Sequence, residues 1–342
     1  MKLNLITEAI SFVSIGRIGA AFGVHAKRMG VDVKCAPLMV DETKAPFSRE
    51  VKKLFVATVP RPAFVIASIS GLDRVGSLRD TVLMTFIETT QAKPEFVASM
   101  NECKAIIAAS KWNAQVFRES GVKVPIHVVN LGIDTEVFKP RIDVLPKGCI
   151  ISTVGRMMHG PRRKNIDLVM YAFLRTLADK EDAMLWVKCF DDCALPDIKH
   201  PRIQVIRDFL TEEKMAAFYQ ESTAVVFGSA AEGFGLPQLE AIMCGKPIAN
   251  VNFGGVREFF RPGKNGYLIE SREEKVEYTY NNCGSWQTPS FDSLCETMKY
   301  IYKNRVDALA MGLQGAKKVR HMSYEWMTRN VLEVLKKYRI VL

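Results

Sequence analysis

The chain predicts an α/β protein of two domains, each a parallel sheet covered by helices on both faces. Three observations lead there. Strand-like and helix-like segments alternate through the first part of the chain; a stretch with two prolines, a glycine and mixed charge, Lys139–Gly148, interrupts them; and the same alternation then restarts. A chain of 342 residues is long for one hydrophobic core and comfortable for two. We therefore place the domains at 1–140 and 148–322.

In the first half Leu3–Ile6 reads as a strand and Ile18–Met29 as a helix, with Gly30 in the place of a C-terminal cap. Val31–Cys35 reads as the next strand, followed by strands at Phe64–Ala67, Val82–Ile87, Ala105–Ala108 and His127–Val129. Helices are expected near Pro94–Met100 and Lys111–Glu119. In the second half strands are expected at Cys149–Val154, Met184–Cys189, Ile203–Ile206 and Ala224–Phe227, with short ones at Pro247–Asn250 and Gly266–Ile269. Helices are expected at Asn165–Leu177, Glu212–Tyr219 and Leu236–Cys244, then from about Ser290 to Lys303, Val306 to Arg320 and Tyr324 to Tyr338. Strands separated by helices imply parallel pairing. On such sheets ligands bind at the carboxyl ends of the strands.

Composition narrows the class. With 48% hydrophobic and 25% charged residues this is ordinary globular usage. No run approaches the 18 apolar residues of a membrane span, and Met1–Ile6 reads as a strand start rather than a secretory leader. The eight cysteines are scattered and mostly in apolar contexts, which fits reduced thiols and a cytoplasmic setting. Cys189 and Cys193 lack a second pair or a nearby histidine, and Asp191-Asp192 between them makes no persuasive metal site. The net charge of +10 suits a polyanion, an anionic surface or a phosphorylated ligand, and equally a plain basic surface.

The most informative stretch runs from Ala231 to Ala241, Ala-Glu-Gly-Phe-Gly-Leu-Pro-Gln-Leu-Glu-Ala. It sets Glu232 and Glu240 eight residues apart around a glycine turn, after a buried strand and before a helix start. Strand, glycine loop, helix is the order that offers backbone N–H groups and a positive helix end to an anion. Two carboxylates flanking such a loop suit an elongated ligand with hydroxyls at both ends and a diphosphate between, the shape of a sugar nucleotide. Arg156, after the strand ending at Val154, and Lys164 are suited to meet charge building on a departing phosphate. The bland alternatives are a strand-end cap for Arg156, a solvated helix start for Lys164, an exposed helix glutamate for Glu240 and a plain turn for Gly233–Leu236. Near the N-terminus, Ser14–Gly23 carries glycines in a loop opening a helix. Their spacing is not that of a dinucleotide fingerprint, and Ala36-Pro37 stands where an acidic residue would end the second strand.

From Ser110 to Leu342 the chain resembles the retaining family 4 glycosyltransferases of GT-B fold. Four segments carry the resemblance: Val128-Val129-Asn130-Leu131-Gly132-Ile133-Asp134 with Val137–Pro140; Val154-Gly155-Arg156 with Lys164-Asn165; Glu232–Pro237 with Glu240; and Gly254–Glu258 with Gly266–Ile269. The first hundred residues match only in outline. The resemblance implies two Rossmann-like domains facing each other across a cleft, with a C-terminal helix, about 323–342, packed back on the first domain. It implies a nucleoside diphosphate sugar as donor, transfer to an acceptor hydroxyl with retention, and no metal or other cofactor.

By the same resemblance Arg156, Lys164 and Glu232 are the catalytic candidates. Gly233, Phe234, Gly235 and Leu236 present amides to the donor, and Glu240 holds ribose hydroxyls. Gly16 and Gly19 lie over the diphosphate. The segment Met157–Arg163 is longer than expected, so Arg162 and Arg163 rival Lys164 for the diphosphate. Where many members carry a histidine this chain has Thr85–Thr90, so Glu88, with Arg17, is the acceptor-side candidate. None of the five histidines has a motif of its own. The acceptor itself is not legible. Lys27, Arg28, Lys44, Arg49, Lys52, Lys53 and Arg61, interleaved with Phe47 and Phe55, suit a polyanion such as hydroxymethylated DNA. A glycolipid or polysaccharide acceptor, a non-catalytic nucleic-acid-binding scaffold and a sugar phosphorylase are the competing readings.

Overall fold

The computed structural model describes residues 1–10, 14–43, 46–143, 148–156, 163–190, 193–276 and 283–341. The chain divides into two compact units. The first comprises Met1–Gly132, Val276–Gly284 and Met322–Leu342; the second comprises Ile133–Lys275 and Ser285–His321.

The first unit is built on β1 (Lys2–Ile10), α1 (Ser14–Arg28), β2 (Asp32–Asp41), the short α2 (Arg49–Lys52), β3 (Ala63–Ile66), β4 (Thr81–Thr85), α3 (Pro94–Met100), β5 (Ala105–Ala108), α4 (Lys111–Glu119) and β6 (Ile126–Val128). Its six strands lie in the order β2-β1-β3-β4-β5-β6, and every pairing is parallel. The central strands are apolar on both faces: Ala63–Ile66 and Ala105–Ala108 are buried throughout, as a sheet covered by helices on both sides requires. Ser110 caps α4 by accepting from the Asn113 N–H at 3.0 Å, and the Asn113 amide donates to the Ile87 carbonyl at 3.0 Å, tying the helix to the segment after β4.

The second unit contains β7 (Cys149–Val154), α5 (Ile166–Thr176), β8 (Ala183–Lys188), β9 (Ile203–Ile206), α6 (Glu212–Gln220), β10 (Ala224–Val226), α7 (Leu236–Met243), β11 (Ile248–Asn250), β12 (Gly266–Leu268), β13 (Ser271–Lys275), β14 (Ser285–Pro289), α8 (Phe291–Lys303) and α9 (Arg305–Val319). Six strands again form a parallel sheet, β12-β11-β10-β7-β8-β9. The chain starts in the middle at β7, winds outward through β8 and β9, then returns to β10 on the other side. The carboxyl ends of β7 and β10 are thus neighbours at the point where the winding reverses, the usual place for a ligand.

The last helix, α10 (Tyr324–Lys337), belongs to the first unit. It packs on α1, with the His25 and Tyr324 rings 5.9 Å apart, and beside β6, where His127 Nε2 and the Tyr338 hydroxyl share a hydrogen bond of 2.8 Å. Both histidines are therefore structural partners of this helix.

Three features depart from the sequence reading. Helix α1 begins at Ser14, so Gly16 and Gly19 sit inside a helix and not in the loop before it. Glycine is a poor helix former; what outweighs that here is packing, since a side chain at Gly19 would collide with the Thr7 side chain on β1. The antiparallel ribbon β13–β14 was not anticipated, because Ser-Arg-Glu-Glu-Lys is charged and largely exposed and carries no apolar alternation. Third, Phe47 is buried and stands edge-on to Phe55 at 5.7 Å, so these rings do not present a stacking surface between the lysines.

Candidate functional site

The second unit gathers most of the predicted residues at the carboxyl ends of β7 and β10. Two loops are stitched together there. The Ala230 N–H donates to the Arg163 carbonyl at 2.9 Å, and the Asn165 side-chain amide donates to the Gly228 carbonyl at 2.8 Å. Gly228 is needed because a side chain there would stand 2.5 Å from the Asn165 carbonyl oxygen. This stitching carries Lys164, just before α5, to Glu232, just after β10. Lys164 Nζ donates to Glu232 Oε1 at 2.5 Å, with only 10% and 8% of the two side chains exposed. A solvated helix start is excluded for Lys164.

Glu232 has a second donor. Gln238, two residues into α7, gives its Nε2–H to the same Oε1 at 2.9 Å, and reaches Asn250 Oδ1, at the end of β11, at 3.4 Å. Burial works against a charged Glu232. The Lys164 ammonium, the Arg163 guanidinium and the hydrogen bonds from Lys164 and Gln238 outweigh it and hold the carboxyl below its ordinary value. The pair is thus carboxylate and ammonium. Removing two charges from water costs several kcal/mol each, roughly, so a pair buried this deeply is costly to keep and points to a functional demand.

The turn between the carboxylates is as tightly made. Gly235 takes φ +94° as the N-cap of α7, where a side chain would meet Val256 and Gln238. Its neighbours Gly233, Phe234 and Leu236 are buried, and the Phe234 ring packs on Phe259 at 5.4 Å. The Gly254-Gly255 pair lies against this turn; the Gly255 N–H donates to the Glu232 carbonyl at 2.9 Å, and a side chain at Gly255 would overlap the Gly233 carbonyl. The first N–H groups of α7 have no partner within the helix and face the end where an anion is favoured. Glu240, on the inner face of α7, is 2% exposed and accepts from the Tyr219 hydroxyl at 3.2 Å. It is not an exposed helix glutamate.

Arg156 follows β7 and is half-buried, with its guanidinium 5.4 Å from the centre of the Phe190 ring. Lys188, the last residue of β8, places its ammonium 4.5 Å from the same ring and donates to the Cys189 carbonyl at 2.7 Å. Arg207, after β9, donates to the carbonyls of Phe190 and Cys193, both at 3.2 Å. Three cations from three adjacent strands therefore meet around Phe190. Arg163 is half-buried beside the Lys164–Glu232 pair, while Arg162 lies outside the described residues, as do Asp191 and Asp192. The Cys189 thiol is pushed up by its hydrogen bond with Cys193 and by burial. Among the described residues no group of three His, Cys, Asp or Glu is placed to hold a metal ion, and no helix is long and apolar enough to cross a membrane.

In the first unit Gly16 and Gly19, on one face of α1, line a small hollow walled mainly by Leu5, Thr7, Phe47 and Leu54. Arg17 is half-buried on the same helix, and Glu88 is half-buried just after β4. Lys44 lies outside the described residues. Sequence reasoning missed Gln238, Asn250, Tyr219 and Lys188. Of these only Gln238 gave a signal: a polar residue in the apolar start of a buried helix, between the two motif carboxylates.

Comparison with known proteins bears on the fold and the kind of protein. Residues 148–279 match the family described as glycosyl transferases group 1. The match lies almost wholly within the second unit of the chain. A relative among curated proteins is the D-inositol 3-phosphate glycosyltransferase of Paenarthrobacter aurescens (strain TC1), 29% identical over 167 residues, 42% of this chain and 39% of the relative. The chain thus spans about two fifths of that relative's length. Among solved structures, sucrose-phosphate synthase from Thermosynechococcus elongatus superposes with a TM-score of 0.72 at 16% identity, covering 98% of each chain. The HepE protein of Anabaena, solved with UDP-glucose, superposes with a TM-score of 0.70 at 13% identity, covering 98% of this chain and 100% of its own. The fold of the chain is GT-B.

Proposed function

We propose that this chain transfers a sugar from a nucleoside diphosphate sugar to an acceptor hydroxyl, with retention at the anomeric carbon. The buried Lys164–Glu232–Gln238 cluster beside the N-terminus of α7 is the observation that carries this reading. A scaffold that merely held nucleic acid would have no use for so costly a pair. In the reaction the bond from the anomeric carbon to the phosphate oxygen breaks and a bond to the acceptor oxygen forms on the same face. The acceptor proton passes to the departing phosphate oxygen. Arg156 and Lys164 stabilise the charge that develops on the diphosphate, and the amides of Gly233–Leu236 add fixed dipoles. Glu232 orients the sugar and Glu240 the ribose. Two side-chain cations in this role make a divalent metal unnecessary, and the setting is cytoplasmic.

On the acceptor side the net charge of +10 favours an anionic molecule, and Lys27, Lys34, Arg49 and Lys53 of the first unit are exposed. Hydroxymethylated DNA is the polymer to test against small phosphorylated polyols. The experiment is release of nucleoside diphosphate from UDP-glucose and GDP-mannose in excess chelator, with each acceptor class, followed by NMR of the product's anomeric centre. Metal-free turnover giving a retained linkage supports the reading. Turnover restored only by magnesium or manganese, or an inverted product, contradicts it. DNA binding that weakens steeply with salt supports the polyanion acceptor; negligible binding at low salt removes it.

A further inference from the structure

The buried amide of Gln238 is given no contact with the substrate in the reading above, yet its orientation can be fixed atom by atom. Glu232 is held as a carboxylate, which only accepts, so the Gln238 atom 2.9 Å from Glu232 Oε1 must be the nitrogen. Asn250 confirms it: its Nδ2 donates to the Val251 carbonyl at 2.6 Å, which turns its own oxygen toward Gln238. Gln238 Oε1 must then point the other way. The residue is 0% exposed, and Oε1 is buried without a hydrogen-bond partner among the described residues. An orphaned buried acceptor costs free energy until something donates to it.

The place where Oε1 points is informative. A side chain built at Gly235 would stand 3.1 Å from it, so this oxygen borders the glycine turn between the two motif carboxylates. The phosphate and ring oxygens of a bound sugar nucleotide only accept, and a carbonyl oxygen cannot pair with them. Its base N–H groups and its hydroxyls can donate, and the reading above sets the hexose, rather than the ribose or the base, beside Glu232, the partner of Gln238. We propose that Gln238 is a direct sugar-side residue of the donor site, its nitrogen fixing Glu232 and its oxygen accepting the hydrogen of one hydroxyl of the donor hexose. This rests on the donor reading above and deepens it: the site does not only tolerate a hexose but reads one of its hydroxyls.

The test is calorimetric titration of the full chain with UDP, UDP-glucose and the four monodeoxyglucose analogues of UDP-glucose, with GDP and GDP-mannose and its deoxy analogues as the second series. Wild type should lose about tenfold in affinity for one deoxy donor. Gln238→Met keeps the length and packing but cannot pair. It should bind the hexose donor about tenfold more weakly than wild type while binding the bare nucleoside diphosphate within about twofold, and it should lose nothing further with that one deoxy donor. Gln238→Asn, which keeps the amide but withdraws it by one methylene, gives the same comparison should the methionine variant fail to fold. Equal losses for the diphosphate and its sugar would make Gln238 merely structural and overturn the proposal, as would a variant that discriminates deoxy donors as wild type does. If wild type binds none of these nucleotides the donor reading itself falls; if it binds them and the variant is indistinguishable, only the role of Gln238 falls.

Discussion

The two units share one plan and use it differently. In the second, the ends of adjacent strands carry buried ionised and polar groups that fix one another: Lys164 and Gln238 on Glu232, Asn250 on Gln238, Tyr219 on Glu240. In the first, glycines of α1 serve close packing, with the candidate Gly19 seated against Thr7 and its neighbour Gly23 against Leu54. The same residue type thus does different work. Gly235 supplies the positive φ that opens α7 at the polar turn; Gly19 lets a helix approach a strand. A parallel sheet sets where a site can be, and the cost of burying charge shows where one is.

Substitutions can break or sharpen this contrast. The largest effect is expected at Lys164→Ala, which strands Glu232 as a buried, uncompensated carboxylate and should remove about 3–5 kcal/mol of stability, read from urea unfolding. A loss under about 1 kcal/mol would mean that water reaches the pair and the second unit is not special. Arg156→Ala should leave stability nearly intact and lower turnover by about 100- to 1,000-fold, the usual cost of one preorganised group at a developing charge. Turnover near wild type would detach Arg156 from the diphosphate. In the first unit Gly19→Ala should destabilise by about 1–3 kcal/mol through overpacking against Thr7, and Thr7→Ala in the same chain should recover most of it. Failure of the second change to rescue would mean that Gly19 is not a packing glycine.

The smallest effect is a pH dependence. Burial, followed by the Lys337 charge, holds the His127 imidazole below its ordinary value. A group depressed in the fold contributes stability above its unfolded pKa, about 6.5, and that contribution is lost as pH falls through the lower folded value. Wild type should therefore lose slightly more stability than His127→Gln on going from pH 7 to pH 5, measured as the shift in urea midpoint. The opposite sign would mean that His127 is stabilised as a cation beside Tyr338.

Much of this was legible from sequence because two kinds of signal agree. Apolar runs of the right length placed nearly every strand and helix, and the residues from Glu232 to Glu240 join strand, turn and helix without a gap, so local order sufficed to locate the loop. What was not legible depends on distance in space. Nothing in the sequence pairs Lys164 with Glu232; the pairing arises because Asn165 and Gly228 stitch two loops 63 residues apart. Tyr219 looks like any aromatic on an amphipathic helix until its hydroxyl meets Glu240. The start of α1 was misplaced because glycine's backbone cost is a local quantity, whereas the contact that repays it, with Thr7, is tertiary. The ribbon β13–β14 escaped because an exposed antiparallel pair needs no apolar alternation.

The central claim is that the second unit grips a nucleoside diphosphate sugar through Glu232 and its two donors. Its most direct test is calorimetric titration of wild type and Glu232→Gln with UDP, UDP-glucose, GDP and GDP-mannose. The account predicts that wild type binds one nucleotide and its sugar, and that Glu232→Gln keeps the nucleoside diphosphate while losing most of the affinity added by the sugar. No nucleotide binding by a folded wild type, or sugar binding unchanged in the variant, would contradict it.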